Sequence, residues 1–128
     1  MSTVGNGEDD LGIRATARAY LDGMVYADEA MLRGAFHAQA AVVGHSRGGL
    51  EWDTLDAFVA AVLRAGGPPL GTPYFAEIET IDRTCDIAMI RLADDYLGSR
   101  YTDYLTLLKH DGRWLIVHKA FYEHAEDA

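Results

Sequence analysis

Apolar positions recur along this chain with two periods. Ile13, Ala17, Tyr20, Leu21 and Met24 fall at helical spacing, which predicts a first helix capped by Asp9 or Asp10 and running to about Tyr26. Asp28 is placed to cap a shorter helix with Leu32 and Phe36 one turn apart on its buried face. Residues 40–45 form a short apolar strand, Ser46-Arg47-Gly48-Gly49 a turn, and residues 50–52 a short returning strand. Asp53 or Thr54 then caps a third helix that buries Leu55, Phe58, Val59 and Val62. Gly66-Gly67-Pro68-Pro69 ends it, because glycine accepts the left-handed end conformation and proline cannot continue a helix. From Tyr74 onward the runs suit strands: 74–83, a connection at Thr84-Cys85-Asp86, 87–96, and a turn at Leu97-Gly98-Ser99. The last stretch, 99–123, carries two β-prone runs about His110-Asp111-Gly112-Arg113, and Asp-Gly between such runs is the strongest short-range hairpin signal. Helices first and long antiparallel strands afterwards read as an α+β domain, with the helices as the only cover for the sheet's apolar face.

Composition narrows the classes of function. The chain has 128 residues, enough for one domain with its own core, and a formal net charge of -9. That charge argues against nucleic acid and anionic membrane as partners, since both need a basic surface. A single cysteine, Cys85, rules out an intramolecular disulfide. The acidic, glycine-rich start lacks the features of a secretory signal, and no stretch approaches the ~20 apolar residues of a membrane span. Residues 1–8 and 124–128 read as loose tails. A cytoplasmic protein is expected.

Three segments together point to a family. Tyr101-Thr102-Asp103-Tyr104-Leu105-Thr106-Leu107-Leu108, Asp111-Gly112-Arg113-Trp114 and Ile116-Val117-His118-Lys119-Ala120-Phe121 resemble the putative lumazine-binding family of the nuclear transport factor 2-like superfamily. Tyr20-Leu21-Asp22-Gly23 and Phe36-His37 fit the same pattern, so the likeness covers roughly residues 11–122. It implies a cone-shaped (cystatin-like) α+β fold, with three N-terminal helices packed on a curved antiparallel sheet around a pocket. It also implies a homodimer built on the sheet. Cys85 departs from the pattern, standing where such a turn usually takes glycine.

Side chains alternate along a strand, so Tyr101, Asp103, Leu105 and Leu107 share one face. A two-residue Asp-Gly turn would set Trp114, Ile116 and His118 beside them. A type I turn with a glycine bulge would set Leu115, Val117, Lys119 and Phe121 there instead. The second register is preferred, because it brings Asp103 and Lys119 opposite each other within an apolar face, and a buried charge needs a partner. Tyr104, Trp114 and His118 then fall on the outer face with Thr102 and Thr106, an aromatic surface suited to a subunit interface.

Four sets of residues are candidates for chemistry. Asp103 with Lys119 is either an acid or base tuned by a cation, as the isomerase and dehydratase relatives imply, or a self-satisfied structural ion pair. Among the seven tyrosines, Tyr20 and Tyr101 are placed to aim a hydroxyl into the pocket, against the alternative of plain aromatic packing. His45 ends a strand that should line the cone. Trp52 with Met24, Phe36, Phe58 and Phe121 would stack a flat ligand such as a pteridine or a steroid-like ring, or would simply be core. No spacing suits a metal site, and no glycine pair makes a phosphate loop, so any chemistry is expected to be cofactor-free. The sequence thus predicts a binder of a mainly apolar, aromatic small molecule. The alternatives are an isomerase, dehydratase or cyclase with Asp103 as general base, and a non-catalytic dimerisation module.

Overall fold

The structure is a computed structural model and describes residues 4–125. Its elements run α1 (Val4–Val25), α2 (Glu29–Gly34), β1 (Phe36–Ser46), β2 (Gly49–Thr54), α3 (Leu55–Ala65), β3 (Ala76–Thr84), β4 (Ile87–Tyr96), β5 (Ser99–His110) and β6 (Arg113–Glu123). This is the expected order. Asp28 caps α2, its carboxylate accepting from the Met31 N–H at 3.0 Å, and the Thr54 hydroxyl caps α3 by accepting from the Ala57 N–H at 3.1 Å.

Some boundaries differ from expectation. α1 begins at Val4, ahead of the Asp9 or Asp10 cap, so residues 4–8 are helical rather than part of a tail. Phe36 is buried as expected but is the first residue of β1, since α2 stops at Gly34. At the other end His124 is tied to β5, its N–H bonded to the Arg100 carbonyl at 2.9 Å. Residues 1–3 and 126–128 of the expected tails lie outside the described residues.

The six strands form one curved sheet in the order β2-β1-β6-β5-β4-β3. All neighbours are antiparallel except β1 and β6, which are parallel. The helices cover one face. Ile13, Ala17, Tyr20, Leu21 and Met24 of α1 and Leu55, Val59 and Val62 of α3 pack over Ile90, Leu92, Leu105, Leu107 and Ile116. A hydroxyl fastens α1 to the sheet, Thr16 Oγ1 donating to the Trp114 carbonyl at 2.7 Å.

The hairpin takes neither of the two expected registers throughout. Asp111 and Gly112 both have positive φ, 52° and 77°, which is the two-residue type I′ turn. His110 then pairs with Arg113 and Leu107 with Ile116, so Trp114 and Ile116 face the core. The register slips between Leu107 and Thr106, leaving Val117 as an extra residue on β6. Beyond this bulge the parity is reversed. Thr106 pairs with His118, Leu105 with Lys119 and Asp103 with Phe121, so Lys119 and Phe121 face inward after all. Two expectations are corrected as a result. Trp114 is buried, its indole N–H donating to Asp9 at 3.1 Å, and leaves the outer-face set. Leu115 and Val117 do not join the core.

The outer face retains Thr102, Tyr104, Thr106 and His118 and gains Ala120 and Tyr122, with Tyr104 and Tyr122 half exposed. The connection at Cys85 has φ of 48°, the left-handed conformation in which a non-glycine residue is strained. No helix among the described residues is long and apolar enough to cross a membrane.

Candidate functional site

The inward face of the sheet ends in a cavity of about 190 Å³ between the open ends of β4, β5 and β6 and the helices α1 and α3. Its apolar wall is Met24, Phe58, Ala61, Val62, Leu97 and Phe121; its polar lining is Tyr96, Tyr101, Asp94, Asp103 and Lys119, with Glu51 and Asp53 of β2 also contributing. Strand alternation explains the convergence. Asp94 and Tyr96 continue the inward row Ala88, Ile90, Leu92 of β4, while Asp103 and Tyr101 continue the row Leu107, Leu105 of β5. The bulge at Val117 adds Lys119 to the same face.

Asp94 and Asp103 are each only 1% exposed, and Lys119 is 5% exposed. Tyr20, fully buried on α1, donates to Asp103 Oδ2 at 2.6 Å. Asp103 Oδ1 and both oxygens of Asp94 accept no hydrogen bond. Three buried acceptors without donors are costly, and one proton between the two acids removes much of the problem. Burial first, and the neighbouring Asp103 charge second, push the Asp94 carboxyl up to about 9. Asp94 therefore holds the proton at neutral pH.

Lys119 and Asp103 do not form the expected ion pair. Among the described residues, none of the ion pairs within 4.0 Å involves Lys119. Its Nζ lies 3.8 Å from Met24 Sδ, and 4.3, 4.8 and 5.2 Å from the ring centres of Phe58, Tyr20 and Phe121. Burial holds this amine below its ordinary value, against the pull of Asp103 and Asp94. Burial likewise lifts the Tyr101 hydroxyl to about 12 and raises Tyr20 well above the usual tyrosine range, so both remain donors. Together these groups offer a protonated acid, a second carboxyl with one oxygen unbonded, a buried amine and tyrosine donors, all beside an apolar wall.

Of the residues singled out in the sequence, Met24, Phe58, Tyr101, Asp103, Lys119 and Phe121 come together around the cavity, with Tyr20 behind Asp103. Phe36 does not reach it; its ring packs edge-on against Tyr20 at 5.8 Å. Trp52 and His45 are corrected outright. Inward positions on β1 and β2 go to Val42 and to Asp53 and Glu51, so the residues between them face out: Trp52 is 76% exposed, and His45 is exposed beside Tyr122. Asp94 was missed because Asp94-Asp95 at a strand end looks like solvated turn chemistry. The signal was present in the alternation Ala88, Ile90, Leu92, which places Asp94 on the buried side. Among the described residues no group of three or more His, Cys, Asp or Glu side chains is arranged to hold a metal ion.

Comparison with known proteins supports the fold. A search of curated proteins gives no match. A nuclear transport factor 2-like protein of unknown function from Silicibacter pomeroyi is 33% identical, with 97% of this chain and 100% of that chain covered and a TM-score of 0.87. A similar protein of unknown function from Shewanella baltica is 26% identical, covering 98% and 99% of the two chains, with a TM-score of 0.84. A ketosteroid isomerase-like protein from Erwinia carotovora atroseptica shares the fold at 19% identity, with 91% and 96% covered and a TM-score of 0.70. The family model described as putative lumazine-binding matches residues 8–122, and the chain belongs to that family, within the nuclear transport factor 2-like superfamily.

Proposed function

We propose that this protein binds a small, neutral carbonyl compound in the cavity and moves a proton on it without a cofactor. The observation that carries this reading is the Asp94–Asp103 pair: two buried carboxyls beside one apolar cavity, one holding a proton and the other keeping Oδ1 free of hydrogen bonds. Asp103 Oδ1 takes a proton from the carbon next to the carbonyl. Asp94 donates toward the carbonyl oxygen, where charge develops. Tyr20 holds Asp103 Oδ2 and so fixes the direction of the free oxygen. Returning the proton to a different carbon makes the reaction an isomerisation.

Size and charge narrow the ligand. A cavity of about 190 Å³ is close to the ~150 Å³ that holds benzene and below the ~300 Å³ where drug-sized sites begin. A single ring, or a branched chain of similar bulk, suits it better than a pteridine or a steroid. With Asp94 protonated, Glu51, Asp53 and Asp103 still outnumber Lys119 around the cavity, which disfavours an anion.

The test is the exchange of cyclohexanone's α-hydrogens for deuterium in heavy water, followed by NMR. The expected result is catalysed exchange that falls by roughly 10²-fold or more in Asp103→Asn. Binding of cyclohexanone at Tyr101 and Phe121 with no exchange would leave a binding protein without turnover. Neither binding nor exchange would overturn both.

We also infer that two copies associate through the outer sheet face. Leu50, Trp52, Met89, Tyr104, Leu108 and Tyr122 share that face by strand alternation and are exposed, an apolar area of the kind that marks an interaction site.

A further inference from the structure

We infer that Lys119 is a nucleophile whose amine forms an imine with a carbonyl compound held in the cavity. The inference rests on the proposed function only for the class of ligand; the covalent step is separate from proton transfer by Asp103.

The geometry around the two lysines of this sequence differs sharply. Lys109 is partly exposed and bound to the Asp9 carboxylate at 3.0 Å. Lys119 lies in the cavity wall, buried, with a thioether sulfur and three aromatic rings around its nitrogen and no carboxylate within ion-pair distance among the described residues. The ring faces favour the ammonium and burial favours the amine; burial wins, as the lowered basicity of Lys119 records. A buried amine whose charged form is disfavoured has its lone pair within easier reach, and that is how an apolar pocket activates a lysine nucleophile. Its neighbours, Asp94 and Asp103, are a proton donor and acceptor lining the same cavity.

The step balances with these groups alone. The nitrogen lone pair attacks the carbonyl carbon, a C–N bond forms, and the oxygen takes the proton of Asp94. Nitrogen passes one proton to Asp103, leaving a neutral carbinolamine. Asp103 returns that proton to the hydroxyl as the C–O bond breaks and water leaves. The second nitrogen proton goes to Asp94. The products are an imine and one water, both acids are back in their starting states, and nothing is oxidised or reduced.

The experiment treats the wild-type protein with benzaldehyde and sodium cyanoborohydride at neutral pH, which reduces any imine to a stable benzylamine, and maps the adducts by peptide mass spectrometry. Lys109 and the terminal amine are internal controls, so the result does not depend on a variant folding. Benzylation at Lys119 is expected to exceed that at Lys109 on the order of tenfold or more, and the preference should vanish in urea. Adducts on Lys109 or the terminus with none on Lys119, or a distribution unchanged by urea, would overturn the inference. The cyclohexanone exchange assay separates the two readings. Exchange without an adduct on Lys119 rejects the nucleophile and leaves proton transfer standing; an adduct without exchange does the reverse.

Discussion

The Tyr20 hydroxyl donates to Asp103 Oδ2 at 2.6 Å, joining α1 to β5 in the interior of the cone. It ties the helix layer to the pair of buried acids. Tyr20→Phe keeps the ring, its edge contact with Phe36 and its place under Lys119, and removes only the donor. One more buried oxygen is then unsatisfied. The expected loss is about 1–3 kcal/mol in urea unfolding. A change below about 0.5 kcal/mol would mean that Asp103 does not depend on this donor.

The alkaline behaviour should be set largely by Asp94. The groups facing it are Asp103 from β5, Lys119 from β6 and Tyr20 from α1. Its folded value of about 9 lies above the ordinary 3.8, so the native state keeps a proton that the unfolded chain releases. Its contribution to stability is therefore present at low pH and lost as pH rises toward 9. Lys119 acts in the opposite sense near the alkaline end, since its folded value lies below 10.5. Asp94→Asn removes the titration and keeps the shape. It should be more stable than wild type by about 1 kcal/mol or more near pH 8, with a difference that shrinks toward pH 4. Denaturant melts across that range check it; equal slopes for the two proteins would place the proton elsewhere.

Much of this arrangement can be read from the chain because local chemistry decides it. Asp28 and Thr54 cap, Gly66 and the prolines after it stop a helix, and Asp111-Gly112 turns, all through short-range effects. Asp103 and Lys119 share a face in the structure, but the expected reason was wrong. The run Trp114-Leu115-Ile116-Val117 is apolar at both parities, so alternation cannot choose between them. Tertiary packing chooses: Trp114 and Ile116 fill space beneath α1, and the bulge at Val117 then lets Lys119 and Phe121 turn inward. Trp52 and His45 were misplaced for a related reason. β2 is short, and which of its faces turns inward depends on its pairing with β1, which its own six residues do not encode.

Gly44 is fixed by a close approach between strands. It pairs with Phe121 across the parallel β1–β6 contact, and a Cβ there would fall on the Phe121 carbonyl oxygen and against its ring at 2.6 Å. Gly44→Ala must push β6 away at the residue that walls the cavity. A loss of about 1–3 kcal/mol is expected, together with weaker binding of cyclohexanone. A Tm and a binding titration on the same sample check both. Unchanged binding in a destabilised variant would show that the Phe121 wall tolerates the shift.

Trp114 and Tyr104 test the two faces of the sheet against each other. Trp114 lies under α1, its ring against Gly12 and its N–H on Asp9. Trp114→Glu buries an unpaired charge in its place and should cost more than about 3 kcal/mol, whatever the oligomeric state. Tyr104 is half exposed on the outer face, beside Arg91, and contributes nothing to the inner core. Tyr104→Glu should leave unfolding within about 0.5 kcal/mol when subunit dissociation is accounted for, and should convert a dimer to monomer in sedimentation velocity. The pair of results separates packing from association. A wild-type protein that sediments as a monomer, or a Tyr104→Glu variant that stays dimeric, would remove the outer face as the interface while leaving the buried role of Trp114 intact.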